Sequence, residues 1–120
     1  MSKGDDIQKR LVAFAARIIK VTEKIENTYA GKHIVRQMTR SGTSPAPNYA
    51  EARGAESTAD FIHKLKIAHK ELNETGVWME ILVAANLLPE KRLAPLMNEC
   101  DQLARILGSS IKTARKNQSK

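Results

Sequence analysis

The chain has 120 residues, 42% hydrophobic and only 4% aromatic, with 20 Lys+Arg against 13 Asp+Glu, a formal charge of +7 and a single cysteine. That length suits one domain with one core and needs no covalent staple, and the lone Cys100 excludes an internal disulfide and fits a reduced, intracellular setting. The polar start MSKGDDIQKR is unlike a signal peptide and no apolar run is long enough to span a bilayer, so a cytoplasmic protein is expected, with a positive charge that favours acidic partners such as nucleic acid.

The first predicted helix covers about residues 6–27. Ile7, Leu11, Phe14, Ile18, Val21 and Ile25 recur in alternating steps of four and three, which sets them on one helical seam. Val12, Ala15 and Ile19 are expected to widen that seam into a core-facing stripe. Asp5 or Asp6 is expected to cap its start, and Asn27 with Gly31 to end it.

The second predicted helix, about residues 31–54, runs through Ile34, Val35 and Met38 and meets the stretch RSGTSPAPNYAEA, Arg40 to Ala52. Proline lacks an N–H and clashes with the carbonyl four residues back, which costs ~3 kcal/mol inside a helix. The helix is therefore predicted to kink or break near residues 41–45. Ser44 would cap its resumption with Pro45 in the first helical position, and Ser41, Thr43 and Ser44 would satisfy the backbone groups freed there.

The third, about residues 58–86, starts after Ser57 with Asp60 near its positive end. Its seam is Phe61, Leu65, Ala68, Leu72, Thr75, Met79 and Leu82. Gly76 interrupts it at a cost of about 1 kcal/mol relative to alanine, which points to a close approach of backbones. After the turn NLLPEKR, a fourth helix covers about residues 89–115, with Pro89 at its first position and a seam of Leu93, Leu96, Cys100, Leu103, Leu107, Ile111 and Ala114. The basic tail RKNQSK is expected to fray. Two-residue alternation is nowhere sustained. The pattern predicts an all-α fold, an antiparallel up-down four-helix bundle in one domain over residues 1–120.

Two stretches, RSGTSPAPNYAEA and DFIHKLKIAHKELNETGVWMEIL (Asp60–Leu82), resemble a bacterial family of small four-helix bundles known as intervening-sequence proteins. Some members are encoded within insertions in large-subunit ribosomal RNA genes. The Arg-Ser, Asn-Tyr-Ala-Glu-Ala, Asp-Phe, Lys-Leu, Ala-x-Lys-Glu and Glu-Thr-x-x-Trp elements fall in the family's order, and the likeness spans essentially the whole chain. Many relatives carry an apolar residue or glycine where this chain has Pro45 and Pro47, which implies a sharper kink here. The resemblance extends to the accessory protein of diversity-generating retroelements, a ring-shaped pentamer that binds reverse transcriptase and nucleic acid. It implies a homo-oligomer, by analogy a homopentamer. Most members of the broader family have no established activity.

Residue chemistry gives no positive support for an enzyme. Glu-x-x-His pairs, the Gly-x-Ser-x-Gly elbow, phosphate loops and dinucleotide fingerprints are all missing, so no cofactor, metal or small-molecule substrate is expected. His63 and His69, six residues apart, point about 120° away from one another, His33 stands alone, and Cys100 reads as a buried thiol on the fourth seam.

Two polar constellations remain. Lys64, Glu71, Glu74 and Trp78 line one side of the third helix, opposite Arg36, Arg40 and Glu51 of the second. They read as ion pairs between helices or between subunits, or as a recognition surface anchored by the indole. Lys9, Arg10, Arg17, Lys20 and Lys24 share an arc of the first helix, and Arg105, Lys112, Arg115 and Lys116 are assigned to a matching face of the fourth. Merged, they would form a basic face that contacts phosphates without reading sequence. Two functions follow as expectations. One is a non-enzymatic oligomeric bundle that binds RNA, DNA or a nucleic-acid enzyme; the other is a protein-interaction or structural module whose basic face only keeps it soluble.

Overall fold

The computed structural model describes residues 2–118. It contains helices α1 (Lys3–Thr22), α2 (Tyr29–Thr43), α3 (Pro45–Arg53), α4 (Thr58–Ala84) and α5 (Glu90–Gln118), and no strand among the described residues. Short connections make successive members of the bundle antiparallel. α1 packs on α2, α3 and α5, and α4 packs on α2, α3 and α5, while α5 does not touch α2 or α3. The result is a four-membered bundle measuring 51 × 24 × 22 Å in which α2 and α3 together form one kinked member.

The break is local. Pro45 and Pro47 cannot donate to the carbonyls of Ser41 and Thr43, yet Ser44 keeps helical dihedrals of φ −71° and ψ −28°. The ladder resumes at once, with Asn48 N donating to the Ser44 carbonyl at 3.1 Å. Because Ser44 stays helical, its side chain cannot fold back as a cap, which corrects the sequence expectation; its hydroxyl is buried without a hydrogen-bond partner. Side chains on either side of the break bond to carbonyls near those of Ser41 and Thr43. Thr43 Oγ1 donates to the Thr39 carbonyl at 2.7 Å and Asn48 Nδ2 to the Ser44 carbonyl at 3.0 Å.

Helix ends differ from the sequence reading where other residues supply the caps. α1 starts earlier because Ser2 is its N-cap: Ser2 Oγ accepts from Asp5 N at 3.1 Å, and Asp5 Oδ2 accepts from Ser2 N at 3.3 Å, a reciprocal capping box. α1 also ends at Thr22, so Ile25 reaches the core from a turn. Thr28 caps α2 through Gly31 N at 3.0 Å. A Cβ at Gly31 would lie 2.0 Å from the Glu26 carbonyl oxygen, so this turn requires glycine. α4 closes with Asn86 at φ 58°. Leu87 N donates to the Leu82 carbonyl and Asn86 N to the Val83 carbonyl, the Schellman arrangement that asparagine tolerates. α5 contains Pro95 and continues to Gln118; of the tail expected to fray, Arg115 to Gln118 are helical and Ser119 and Lys120 lie outside the described residues, and Arg115 and Lys116 suit the negative end of the helix dipole.

The core follows the seams with three corrections. Val12 and Ile19 are 55% and 46% exposed instead of widening the α1 stripe. Ile62, not Phe61, is the first buried member of α4. Gly76 is not the close approach, since a Cβ there would sit 3.8 Å from Cys100 Sγ, whereas one at Gly42 would come within 2.8 Å of Ile18 Cγ2. The α2 backbone at Gly42 packs tightly against the Ile18 side chain of α1, just before the proline kink.

Candidate functional site

The kink sets how the polar side chains of α2 and α3 meet α4. Arg40, near the end of α2, forks to two carboxylates one turn apart: Nη1 reaches Glu71 Oε2 at 2.8 Å and Nη2 pairs with Glu74. Trp78 Nε1 donates to Glu74 Oε2 at 3.1 Å, and His33 packs edge-on against the indole with ring centroids 5.8 Å apart. The Trp78 hydrogen bond, then Arg40, hold the Glu74 carboxyl below its ordinary pKa. Beyond the kink, Lys64 Nζ pairs with Glu51 Oε1 at 2.9 Å. Arg40, Glu51, Lys64, Glu71, Glu74 and Trp78 thus connect helices within one chain. Arg36 does not join them; it is exposed and has no ion pair among the described residues.

Beneath this network lies a buried polar contact between Ser41 and Thr75. Single substitutions at such a point remove a partner from a group shielded from water, so they cost more than exposed pairs do.

The predicted phosphate-binding cations separate into groups. Arg10 is bound by Glu99 of α5 in a two-pronged pair, Nε to Oε2 at 3.0 Å and Nη2 to Oε1 at 2.7 Å, with Gln102 adding a hydrogen bond at 3.2 Å. Arg105 pairs with Asp101 one turn earlier at 2.9 Å. Neither is a free phosphate ligand: Glu99 stands on the helix adjoining Arg10, which position on an arc does not reveal, and Asp101 lies four residues before Arg105 on the same helix. Lys24 lies in the turn after α1. Arg115 lies on the other flank of α5 from the predicted face and lines the groove against α4. Lys9, Arg17, Lys20, Lys24, Lys112 and Lys116 are exposed and carry no ion pair among the described residues. They also fall at two levels. Lys3 and Ile7 of α1 sit beside Thr113 and Asn117 of α5, so Lys112 and Lys116 flank the start of α1, while Arg17, Lys20 and Lys24 lie at the opposite end.

Sequence reasoning passed over the α4–α5 groove. His63, Lys66, His69, Lys70 and Asn73 line one wall and Arg115 the other, around a recess of about 630 Å³. The signal was present as basic residues one turn apart on α4, at positions 63, 66 and 70, but the strong apolar seam of the same helix dominates its pattern.

Residues 4–109 match the family described as 23S rRNA-intervening sequence protein. The chain belongs to that family. Its fold is similar to the crystal structure of a protein of unknown function from the S23 ribosomal protein family of Bacteroides thetaiotaomicron, with a TM-score of 0.85 and 34% identity over 92% of this chain and 99% of that one. Among curated proteins nothing matches. In this member of the intervening-sequence family, the described residues hold no group of three His, Cys, Asp or Glu able to bind a metal ion, and no helix among them is long and apolar enough to cross a membrane. Cys100 donates to the Leu72 carbonyl at 3.1 Å, and burial pushes its thiol up to about 12. A thiol so held is a poor nucleophile.

Proposed function

We propose that the protein is a non-enzymatic, cytoplasmic, self-associating bundle that holds nucleic acid, or a nucleic-acid enzyme with its template, by binding phosphates. The observation that carries this reading is the cationic outer surface. Six exposed cations, Lys9, Arg17, Lys20, Lys24, Lys112 and Lys116, have no carboxylate partner among the described residues, although the chain has 13 acids to offer. Charge left unneutralised in this way binds phosphates by displacing counterions and does not discriminate sequence.

Self-association is supported by a separate flank of α1. Val12 and Ile19 lie two turns apart with Ala16 between them, and both are exposed. An apolar strip on an otherwise charged helix suits contact with another protein surface. By analogy with the ring of five implied by the resemblance, that surface belongs to another copy of the chain.

The test is a titration of structured RNA against the protein at several salt concentrations. Binding should weaken with salt, and replacing Lys9, Arg17 and Lys20 by Glu should flatten the logarithmic salt slope by roughly 0.9 for each duplex phosphate no longer neutralised. No binding at low salt, or a slope of zero, removes the nucleic-acid reading and leaves the protein-interaction module. Light scattering of Val12→Glu and Ile19→Glu tests the assembly: both should lower the solution mass of the native chain.

A further inference from the structure

We infer that the groove between α4 and α5 is a second phosphate-binding site, built for a short single-stranded nucleic-acid segment. This inference shares with the proposed function the premise of a polyanionic partner, but rests on a different surface. Lys66 and Lys70 stand one turn apart on the α4 wall, with His63 a turn before them and Asn73 closing the row; Arg115 lines the α5 wall. No carboxylate lines this recess among the described residues. Glu74 feels the charge of Lys70, but its carboxylate is already held by Arg40 and Trp78. Ile67 and Ile111 supply an aliphatic floor. Gly108 of α5 faces His69 across the groove, where an added Cβ would make only ordinary contact, 3.4 Å from Nε2.

The shape selects the occupant. The recess is a valley running along two helices packed against each other, a shape that one extended strand follows along its length and a duplex would only bridge. Its basic residues on α4 run from His63 to Lys70, a rise of about 10 Å. Further along, past Asn73, Glu80 and Asp101 line the same interhelical groove and oppose a longer polyanion. The site therefore takes a few consecutive phosphates entering from the α4 N-terminal end. With an aliphatic floor and no aromatic ring of Phe, Tyr or Trp in the lining, it grips the backbone rather than stacking bases.

The experiment measures anisotropy of a short fluorescein-labelled single-stranded oligonucleotide with the full chain, alongside structured RNA. Lys66 and Lys70 are exposed, so Lys66→Ala/Lys70→Ala should fold normally, as far-UV circular dichroism will verify. That variant should bind the oligonucleotide about tenfold more weakly, with a salt slope shallower by roughly 1.4 when two phosphates of a single strand are no longer neutralised. Lys9→Ala/Lys20→Ala should leave oligonucleotide binding largely intact. Unchanged affinity in the Lys66/Lys70 variant overturns the groove, as does a wild-type chain that binds structured RNA but no single strand; in either case the outer-face reading survives. If structured RNA binding survives loss of Lys9 and Lys20 while oligonucleotide binding falls with Lys66 and Lys70, the groove stands and the outer face is discarded. Tight binding of a Glu-rich peptide with none of the oligonucleotide overturns the nucleic-acid assignment of this groove.

Discussion

Thr75 Oγ1 lies 2.8 Å from Ser41 Oγ inside the contact between α2 and α4, and both residues are fully buried. The Thr75 hydroxyl is shared with the Glu71 carbonyl, also at 2.8 Å, and Ser41 Oγ lies 3.5 Å from the Met38 carbonyl. This pair joins α4 to the kinked member one turn before the proline break. Directly outside it, Arg40 binds Glu71 and Glu74.

Removing one hydroxyl leaves the other buried with one partner fewer. Thr75→Val keeps the shape and should destabilise the protein by about 1–3 kcal/mol, the range for an unsatisfied buried polar group. Adding Ser41→Ala should cost less than the sum of the two single changes, because the orphaned group is then gone. Urea unfolding of the two single variants and the double variant measures this coupling; strict additivity would show that the pair is not a unit.

Gly42 and Gly76 should respond in opposite directions to alanine. At Gly42 a Cβ would lie 2.8–2.9 Å from the Ile18 side chain, so Gly42→Ala should cost about 1–3 kcal/mol by overpacking. Ile18→Val should restore part of that stability. At Gly76 the nearest atom is Cys100 Sγ at 3.8 Å, and removing a helix-interior glycine should stabilise by up to about 1 kcal/mol. Thermal melts of Gly42→Ala, Gly42→Ala/Ile18→Val and Gly76→Ala decide the signs.

Glu74 and Trp78 couple pH to stability. The indole hydrogen bond, then Arg40, lower the Glu74 pKa. A carboxylate depressed in the folded state stabilises above its unfolded pKa, about 4.3, and loses that contribution as pH falls through the lower folded value. The stability gap between wild type and Glu74→Gln should therefore be present at neutral pH and shrink in acid. The single tryptophan offers a direct readout: its fluorescence should titrate with Glu74, at a pH below the usual carboxylate range.

Cys100 should serve as a reporter of unfolding. With its thiol pushed up to about 12 and the side chain buried, thiol reagents should label it only through opening of the α4–α5 contact. Labelling in urea should track the unfolding transition. Rapid labelling of the native chain would mean that this helix pair opens far below the global unfolding free energy.

The four seams, the proline kink and the all-α class were legible in the sequence, because a 3.6-residue period and the missing N–H groups of Pro45 and Pro47 act within a single helix. So was the affinity of Arg40 for Glu71 and Glu74, as complementary charges on adjoining segments, though not whether one chain or two would supply them. Local periodicity could not show that Glu99 stands opposite Arg10, that Arg115 faces α4, or that Val12 and Ile19 are left uncovered. Those facts depend on the rotation and axial stagger of one helix against another, which are decided when all the side chains of the core pack at once. Residue order determined which faces were apolar and where the chain bends; tertiary packing alone decided which cations were neutralised by acids of neighbouring helices and which helices enclosed a groove.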